Sequence, residues 1–180
     1  MNIYVMRHGT TFWNERGITQ GRSSNRLSKS GIELVKKAAY NFRNVKIDVI
    51  FCSPLIRTIQ TANIVNKFHN VKIFKDDLLL EIDQGIFTGR HFKSLSKEEL
   101  ELKKNRSKQA KMESYKECFN RVKNFTDNLK QKYNFKDVLI VTHNCIATFI
   151  EDIILNKPIN FNDKNFLVNF NNAEIKKFSI

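Results

Sequence analysis

With 180 residues, 41% of them hydrophobic and 15 of them Phe, against only 6 Gly and 2 Pro, the chain suits one compact domain and not a disordered or fibrous protein. Its 31 Lys and Arg outnumber 18 Asp and Glu, a net charge of +13 that draws anions of any size, nucleic acid included. Cys52, Cys118 and Cys145 form no CxxC pair, and an odd number leaves no complete disulfide framework, which argues against zinc and for a reducing compartment.

The first residues reach Arg7 and His8 after a short apolar stretch, without the pattern of a secretory signal, and no apolar run approaches the ~20 residues of a membrane span. The expectation is a cytoplasmic protein away from membranes. Residues 2–6 (NIYVM) read as a first buried parallel strand, being short, apolar and rich in β-branched side chains. A helix follows over 30–42, opened by Ser30 and Glu33 in the S-x-x-E capping pattern. Residues 48–52 (DVIFC) predict the next strand, and Ser53-Pro54 reads as the N-cap and first position of a helix over 54–68. A short strand at 71–74 precedes helices over 96–111 and 115–133, each with its own capping pair, Ser96 with Glu99 and Ser114 with Glu117. Residues 138–141 (VLIV) form another strand pattern, 146–155 another helix, and 167–170 and 174–178 are candidate late edge strands. Alternation of this kind implies an α/β protein, a three-layer sandwich with a mainly parallel central sheet flanked by helices.

In such sheets ligands bind beyond the carboxyl ends of the strands, beside helix N-termini. Arg7-His8-Gly9 follows the first strand and Thr142-His143-Asn144 the strand at 138–141, so neighbouring strands would bring both imidazoles to one crevice. Gly9 lets backbone approach a ligand closely. Arg57, one turn into the helix after Ser53-Pro54, can reach the same crevice, and Glu81 follows a further strand and an apolar triplet. Trp13 reads as core, His69 and His91 as surface or packing residues, and Cys145 as a small buried residue.

The set Arg7, His8, Arg57, Glu81 and His143 resembles the histidine phosphatase superfamily, the group that includes the cofactor-dependent phosphoglycerate mutases. The resemblance runs through RHGTTFWN at 7–14, Gln20-Gly21 with Leu27-Ser28 and Gly31, SPLIRTIQTA at 53–62, LEIDQGIFTG at 80–89 and VTHN at 141–144. It implies a phosphoglycerate mutase-like fold over 1–180, with a helical cover at about 87–133. It also implies catalytic roles for the five residues and substrate contacts from Asn14, Gln20, Gly21 and Asn144. The sequence departs from the family pattern at Ser24, Arg26, Thr88 and Met112, and after His143, where Asn144 and Cys145 stand in place of frequent glycines. Asn144 is expected to keep the left-handed turn there, which Asn tolerates.

Phosphoryl transfer spreads charge over three equatorial oxygens, so fixed cations and donors matter more than covalent machinery. Arg7, Arg57 and His143 would clamp the phosphate, and His8 would be the nucleophile, kept neutral by the two arginines. Glu81 would protonate the leaving oxygen and later take a proton from water. No metal and no cofactor is called for.

The activity so implied is hydrolysis of a small phosphorylated metabolite through a phosphohistidine. Phosphoglycerate mutase is the close rival, but mutases of the family carry a longer segment between the Glu and the second His than the 61 residues separating Glu81 from His143. Dephosphorylation of phosphohistidine on a protein is a third possibility, and a nucleic-acid-binding module with a vestigial site a fourth. For the last, residues 93–136 carry 13 Lys and Arg against 6 Asp and Glu. Against it, 103–111 has no aromatic residue for base stacking, so no nucleic acid is expected as partner. Oligomeric state is not legible.

Overall fold

The computed structural model describes residues 1–133, 136–161 and 170–179. A five-stranded sheet runs in the order β3-β2-β4-β1-β5, with β1 Asn2–Arg7, β2 Val49–Cys52, β3 Lys72–Lys75, β4 Val138–Thr142 and β5 Ile175–Ser179. The first four strands pair in parallel and β5 lies antiparallel on β1, so the sheet is mixed and mainly parallel. The expected edge strand at 174–178 is therefore present one residue later, whereas 167–169 lie outside the described residues.

Alternation along the strands builds both cores. Ile3, Val5, Val49, Phe51, Val138 and Ile140 face one side, against α5 (Tyr115–Tyr133) and α6 (Asn144–Ile154). Tyr4, Met6, Ile50, Cys52, Leu139 and Val141 face the other, against α2 (Lys29–Phe42) and α3 (Ile56–Asn66). Val35, Ala39 and Phe42 on α2, and Cys118, Val122, Phe125 and Leu129 on α5, recur at helical spacing and are buried. Each fully buried large apolar side chain contributes about 1.5–3 kcal/mol.

The helix starts differ from expectation in instructive ways. Ser28, not Ser30, caps α2, its hydroxyl accepting from Gly31 N–H at 3.1 Å, while Ser30 bonds Glu15. Ser53 caps nothing: α3 begins at Ile56 after an extended Leu55, and the Ser53 hydroxyl is used elsewhere. The helix expected over 96–111 stops at Lys104, because Arg106 and Lys111 adopt left-handed backbone; only α4 (Lys97–Lys104) is regular, with its Ser96/Glu99 box formed. A four-residue α1 (Phe12–Glu15), too short to leave a periodic signal, was not expected.

Residues 85–112 gather a small core of their own, Phe87, Leu95, Ala110 and Met112. This segment hydrogen-bonds to the loop at 17–21 through Gly89 N–H to Thr19 O at 2.8 Å and Thr19 N–H to Arg90 O at 3.0 Å. Trp13, expected in the core, is only half-buried and packs beside Gly89.

At Gly31 a Cβ would stand 1.9 Å from the Thr10 carbonyl oxygen, so α2 and the loop after β1 touch backbone to backbone. The carbonyl cannot swing away, since it accepts from Ser28 N–H at 3.0 Å. Gly31→Ala should therefore lower stability by ~3 kcal/mol in chemical denaturation. A variant as stable as the parent would show that α2 can slide off this loop.

Candidate active site

Parallel pairing of β1 with β4 puts Arg7 beside Thr142, and His8 N–H donates to Thr142 O at 2.9 Å. His8 and His143 thus leave the sheet together, with ring centroids 5.2 Å apart and planes inclined at 65°. Both rings are buried. The next strand, β2, brings Ser53 to the same edge, where Ser53 N–H donates to Val141 O at 3.2 Å.

His8 Nδ1 lies 2.7 Å from Gly9 O, and a carbonyl only accepts, so Nδ1 carries the hydrogen and Nε2 keeps its lone pair. Burial chiefly, then the Arg57 charge and, less, Arg7, hold this imidazole well below its ordinary pKa, against the pull of the Gly9 carbonyl. Burial, more than the arginines invoked from sequence, keeps the ring neutral. His143 is depressed in the same way, by burial and then by Arg57. Arg57 Nε–H donates to His143 Nδ1 at 3.2 Å, which leaves the His143 hydrogen on Nε2, 2.9 Å from Ser53 Oγ.

Arg57 is buried and donates from Nη1 to Ser23 O at 2.7 Å and from Nη2 to Gly21 O at 2.8 Å. Burial pushes its pKa down to about 10, which leaves it charged at neutral pH. Gly21, at φ +48°, is needed there because a Cβ would meet Thr88 Oγ1 at 2.8 Å. Its contribution to the site is the carbonyl that aims Arg57. Arg7 Nη1 donates to Phe170 O at 2.7 Å, while its buried Nε has no acceptor among the described residues. A buried guanidinium N–H with no protein partner fits a site that takes an anion.

Glu81 follows the turn Asp77–Leu79, which Asp76 caps and which Thr142 Oγ1 ties to the end of β4 by donating to Leu79 O at 3.0 Å. Its carboxylate accepts from Ile82 N–H at 2.9 Å. Desolvation raises the Glu81 pKa from its ordinary value, outweighing Ile82 N–H and the charges of Arg57, Arg7 and Arg121. Glu81 is thereby a carboxyl that holds a proton longer than an ordinary Glu.

Asn14 Oδ1 accepts from Thr11 N–H at 3.0 Å in the cap of α1, which turns the amide NH₂ to serve other acceptors. Gln20 joins the same cluster, 2.9 Å from Thr11 Oγ1. Asn144 is the first residue of α6, after an extended His143, and has no left-handed backbone, so the turn expected of it is absent. Its Oδ1 instead accepts from Phe170 N–H at 3.3 Å. Helix α6 nonetheless begins directly after His143, which places its N-terminus at the edge where β4 ends. His69 and His91 lie away from this constellation: His69 packs on Phe42, and His91 accepts from Lys93 N–H.

Sequence reasoning missed Ser53 as a partner of His143, having assigned it to a cap. It also missed Arg22, Arg106, Glu113 and Arg121, which bind the backbone around Glu81. Glu113-Ser114 preceding a capped helix was a signal, but only of the helix.

Among the described residues no cluster of three or more His, Cys, Asp or Glu side chains could hold a metal ion, and no helix is long and apolar enough to cross a membrane. Phosphoserine phosphatase 1 of Hydrogenobacter thermophilus is 28% identical over 149 residues, covering 79% of this chain and 71% of that protein. Two crystal structures share the fold. The alpha-ribazole phosphatase of Shigella flexneri superposes with a TM-score of 0.80 at 24% identity, over 88% of this chain and 81% of the other. The phosphoglycerate mutase of Bacillus anthracis str. Sterne does so with a TM-score of 0.80 at 21% identity, over 98% and 86%. The family model of the histidine phosphatase superfamily (branch 1) matches residues 3–180, and the chain belongs to that superfamily.

Proposed function

We propose that this protein is a phosphatase that hydrolyses small phosphomonoesters through a phosphohistidine on His8. The observation that carries the reading is a buried, neutral His8 whose Nδ1–H is held by Gly9 O, leaving the Nε2 lone pair within the field of the buried Arg57 and the half-buried Arg7 guanidiniums. In the first step Nε2 attacks phosphorus in line, the N–P bond forms and the P–O bond to the leaving group breaks. Glu81 delivers its proton to the departing oxygen. In the second step Glu81, now a carboxylate, takes a proton from water as that water attacks phosphorus, and the N–P bond breaks to release phosphate. Arg7, Arg57 and the amide of Asn14 hold the phosphoryl oxygens, joined by His143 as its Nε2–H turns from Ser53 Oγ to the phosphate, with Gln20 and the α6 N-terminus at Asn144 bordering them and Gly21 acting through Arg57.

Hydrolysis is favoured over mutase chemistry by the short stretch of 61 residues between Glu81 and His143. This leaves less chain to enclose an intermediate and keep water from it. The substrate is a small phosphorylated metabolite, and we read the whole chain, 1–180, as one such domain in the cytoplasm. The basic segment 93–136 is not assigned to nucleic acid: Lys103 donates to Thr19 and packs over Phe87 and Phe92, and Arg121 pairs with Glu113, so part of this charge is structural.

His8→Ala should cut turnover of an aryl phosphate by at least about 10³-fold while inorganic phosphate still binds, because the clamp and the nucleophile are different groups. Phosphoenzyme trapped from the parent should carry acid-labile, base-stable label on His8; label on a serine or on Cys145 would overturn the mechanism.

Glu81→Gln should lower kcat/KM for an alkyl phosphate by about 10²–10⁴-fold and for an aryl phosphate by less than about tenfold, since an aryl leaving group needs little protonation. The proton must be on Glu81 in the first step. Alkyl phosphate hydrolysis should therefore fall as pH rises through the raised Glu81 pKa, later than an ordinary carboxylate would dictate. Equal losses on both substrates would remove the acid role.

Supplied with 3-phosphoglycerate, the protein should yield at most glycerate and phosphate. Efficient formation of 2-phosphoglycerate dependent on 2,3-bisphosphoglycerate, followed by NMR, would establish the mutase reading instead.

A further inference from the structure

Glu81 does not sit on a strand or helix; its place depends on what grips the loop around it. That grip converges on Glu113. Its carboxylate accepts from Arg121 at 2.7 and 3.0 Å in a two-pronged pair, from Arg22 Nη2 at 3.1 Å and from Asp83 N–H at 3.1 Å. The same arginines reach back to the acid loop. Arg121 Nη1 donates to Leu78 O at 2.7 Å, and Arg22 Nε donates to Glu81 O at 3.1 Å. Arg106 donates to both Glu113 O and Asp83 O. Backbone on both sides of Glu81 is thus bonded to groups that Glu113 orients, and the Glu113 side chain is only 12% exposed.

The charges around Glu81 are otherwise nearly all positive. Arg7 faces it from the end of β1, Arg57 from α3, Arg121 from α5 and Arg22 from the loop after α1. The rings of His8 and His143 are neutral, and the Cys145 thiol near Glu81 is held protonated by burial. Glu113 is the anion that neutralises the two of these arginines remote from the phosphate clamp.

We propose that Glu113 is a positioning residue for the acid step, fixing the Glu81 loop through Arg22 and Arg121 and offsetting the positive charge that these two arginines bring to it. The proposal rests on Glu81 being the general acid. Without the Glu113 charge, Arg121 and Arg22 stand uncompensated, the Glu81 carboxylate is favoured, and less of the enzyme is protonated at a given pH. Arg22 is the converse case: removing its charge favours the protonated form.

The test follows the pH dependence of kcat/KM for an alkyl and an aryl phosphate in the parent and in Glu81→Gln, Glu113→Gln and Arg22→Gln, with thermal melting of each. Glu113→Gln should move the alkaline limb for the alkyl phosphate toward acid by roughly half a pH unit or more. Arg22→Gln should move it the other way. The aryl phosphate should be far less affected by either, and Glu113→Asp should recover part of the parent profile. Arg22 is 37% exposed, so its variant decides the matter if Glu113→Gln does not fold. If Glu81→Gln distinguishes the two substrates but neither limb moves, or both substrates fall equally at an unmoved limb, Glu113 is structural only and the proposal fails. If Glu81→Gln handles the alkyl phosphate as the parent does, the acid role itself is wrong, and this inference falls with it.

Discussion

The pairing of β1 with β4 in parallel, in the register Arg7 opposite Thr142, is the constraint on which the site depends. Parallel strands end at the same edge, so the residues just beyond them share a crevice however far apart they lie in sequence. A slip of one residue would turn Val5 and Ile140 to the wrong face and put His8 out of step with His143. The full burial of Ile3, Val5, Val138 and Ile140 on one face and Met6, Leu139 and Val141 on the other guards against that slip. The core therefore secures the geometry that the chemistry uses.

At that edge burial produces two opposite results with one cause. Removing water disfavours the charged form of any group, so His8 loses its tendency to protonate while Glu81 gains one. The roles proposed for them need His8 unprotonated and Glu81 protonated at the same pH, and desolvation favours both states. The arginines cannot escape charge in this way. They are accommodated by carbonyls instead, Arg57 by Gly21 and Ser23, Arg7 by Phe170. Carbonyl partners satisfy a guanidinium without cancelling its charge, which stays available to a phosphate.

The strands and the pairing of the two histidines were legible because apolar runs ending in Arg-His-Gly and Thr-His-Asn carry both fold and site in a few residues. Helix α5 matched its expected span, since the Ser114/Glu117 cap and a long amphipathic stripe agree. Failures came where one residue type serves two purposes. Ser53 before Pro54 looks like a cap, yet its hydroxyl faces His143, a use set by the tertiary contact of β2 with β4. Asn144 looks like a substitute for glycine, yet the chain turns at an extended His143 and needs no left-handed residue. Left-handed backbone at Arg106 and Lys111, which no local pattern announces, cut short the helix expected there. Glu113, Arg22 and Arg121 were invisible for another reason: their meaning lies in contacts between segments 8 to 91 residues apart.

The segment at 85–112 has a small core separate from the two that hold the sheet, and it meets the site at Gly21, whose carbonyl aims Arg57 and whose missing side chain admits Thr88 and Gln84. None of the sheet's core passes through this segment, and its side chains reach the site chiefly through Thr88 beside Gly21 and Arg106 on the Asp83 carbonyl. Its backbone is confined. Gly85 has the Ala110 carbonyl 1.9 Å from where a Cβ would stand, so the two ends of the segment are pressed together. A segment of fixed backbone path, whose apolar side chains form a core of their own, thus borders the sheet edge at which the two histidines meet.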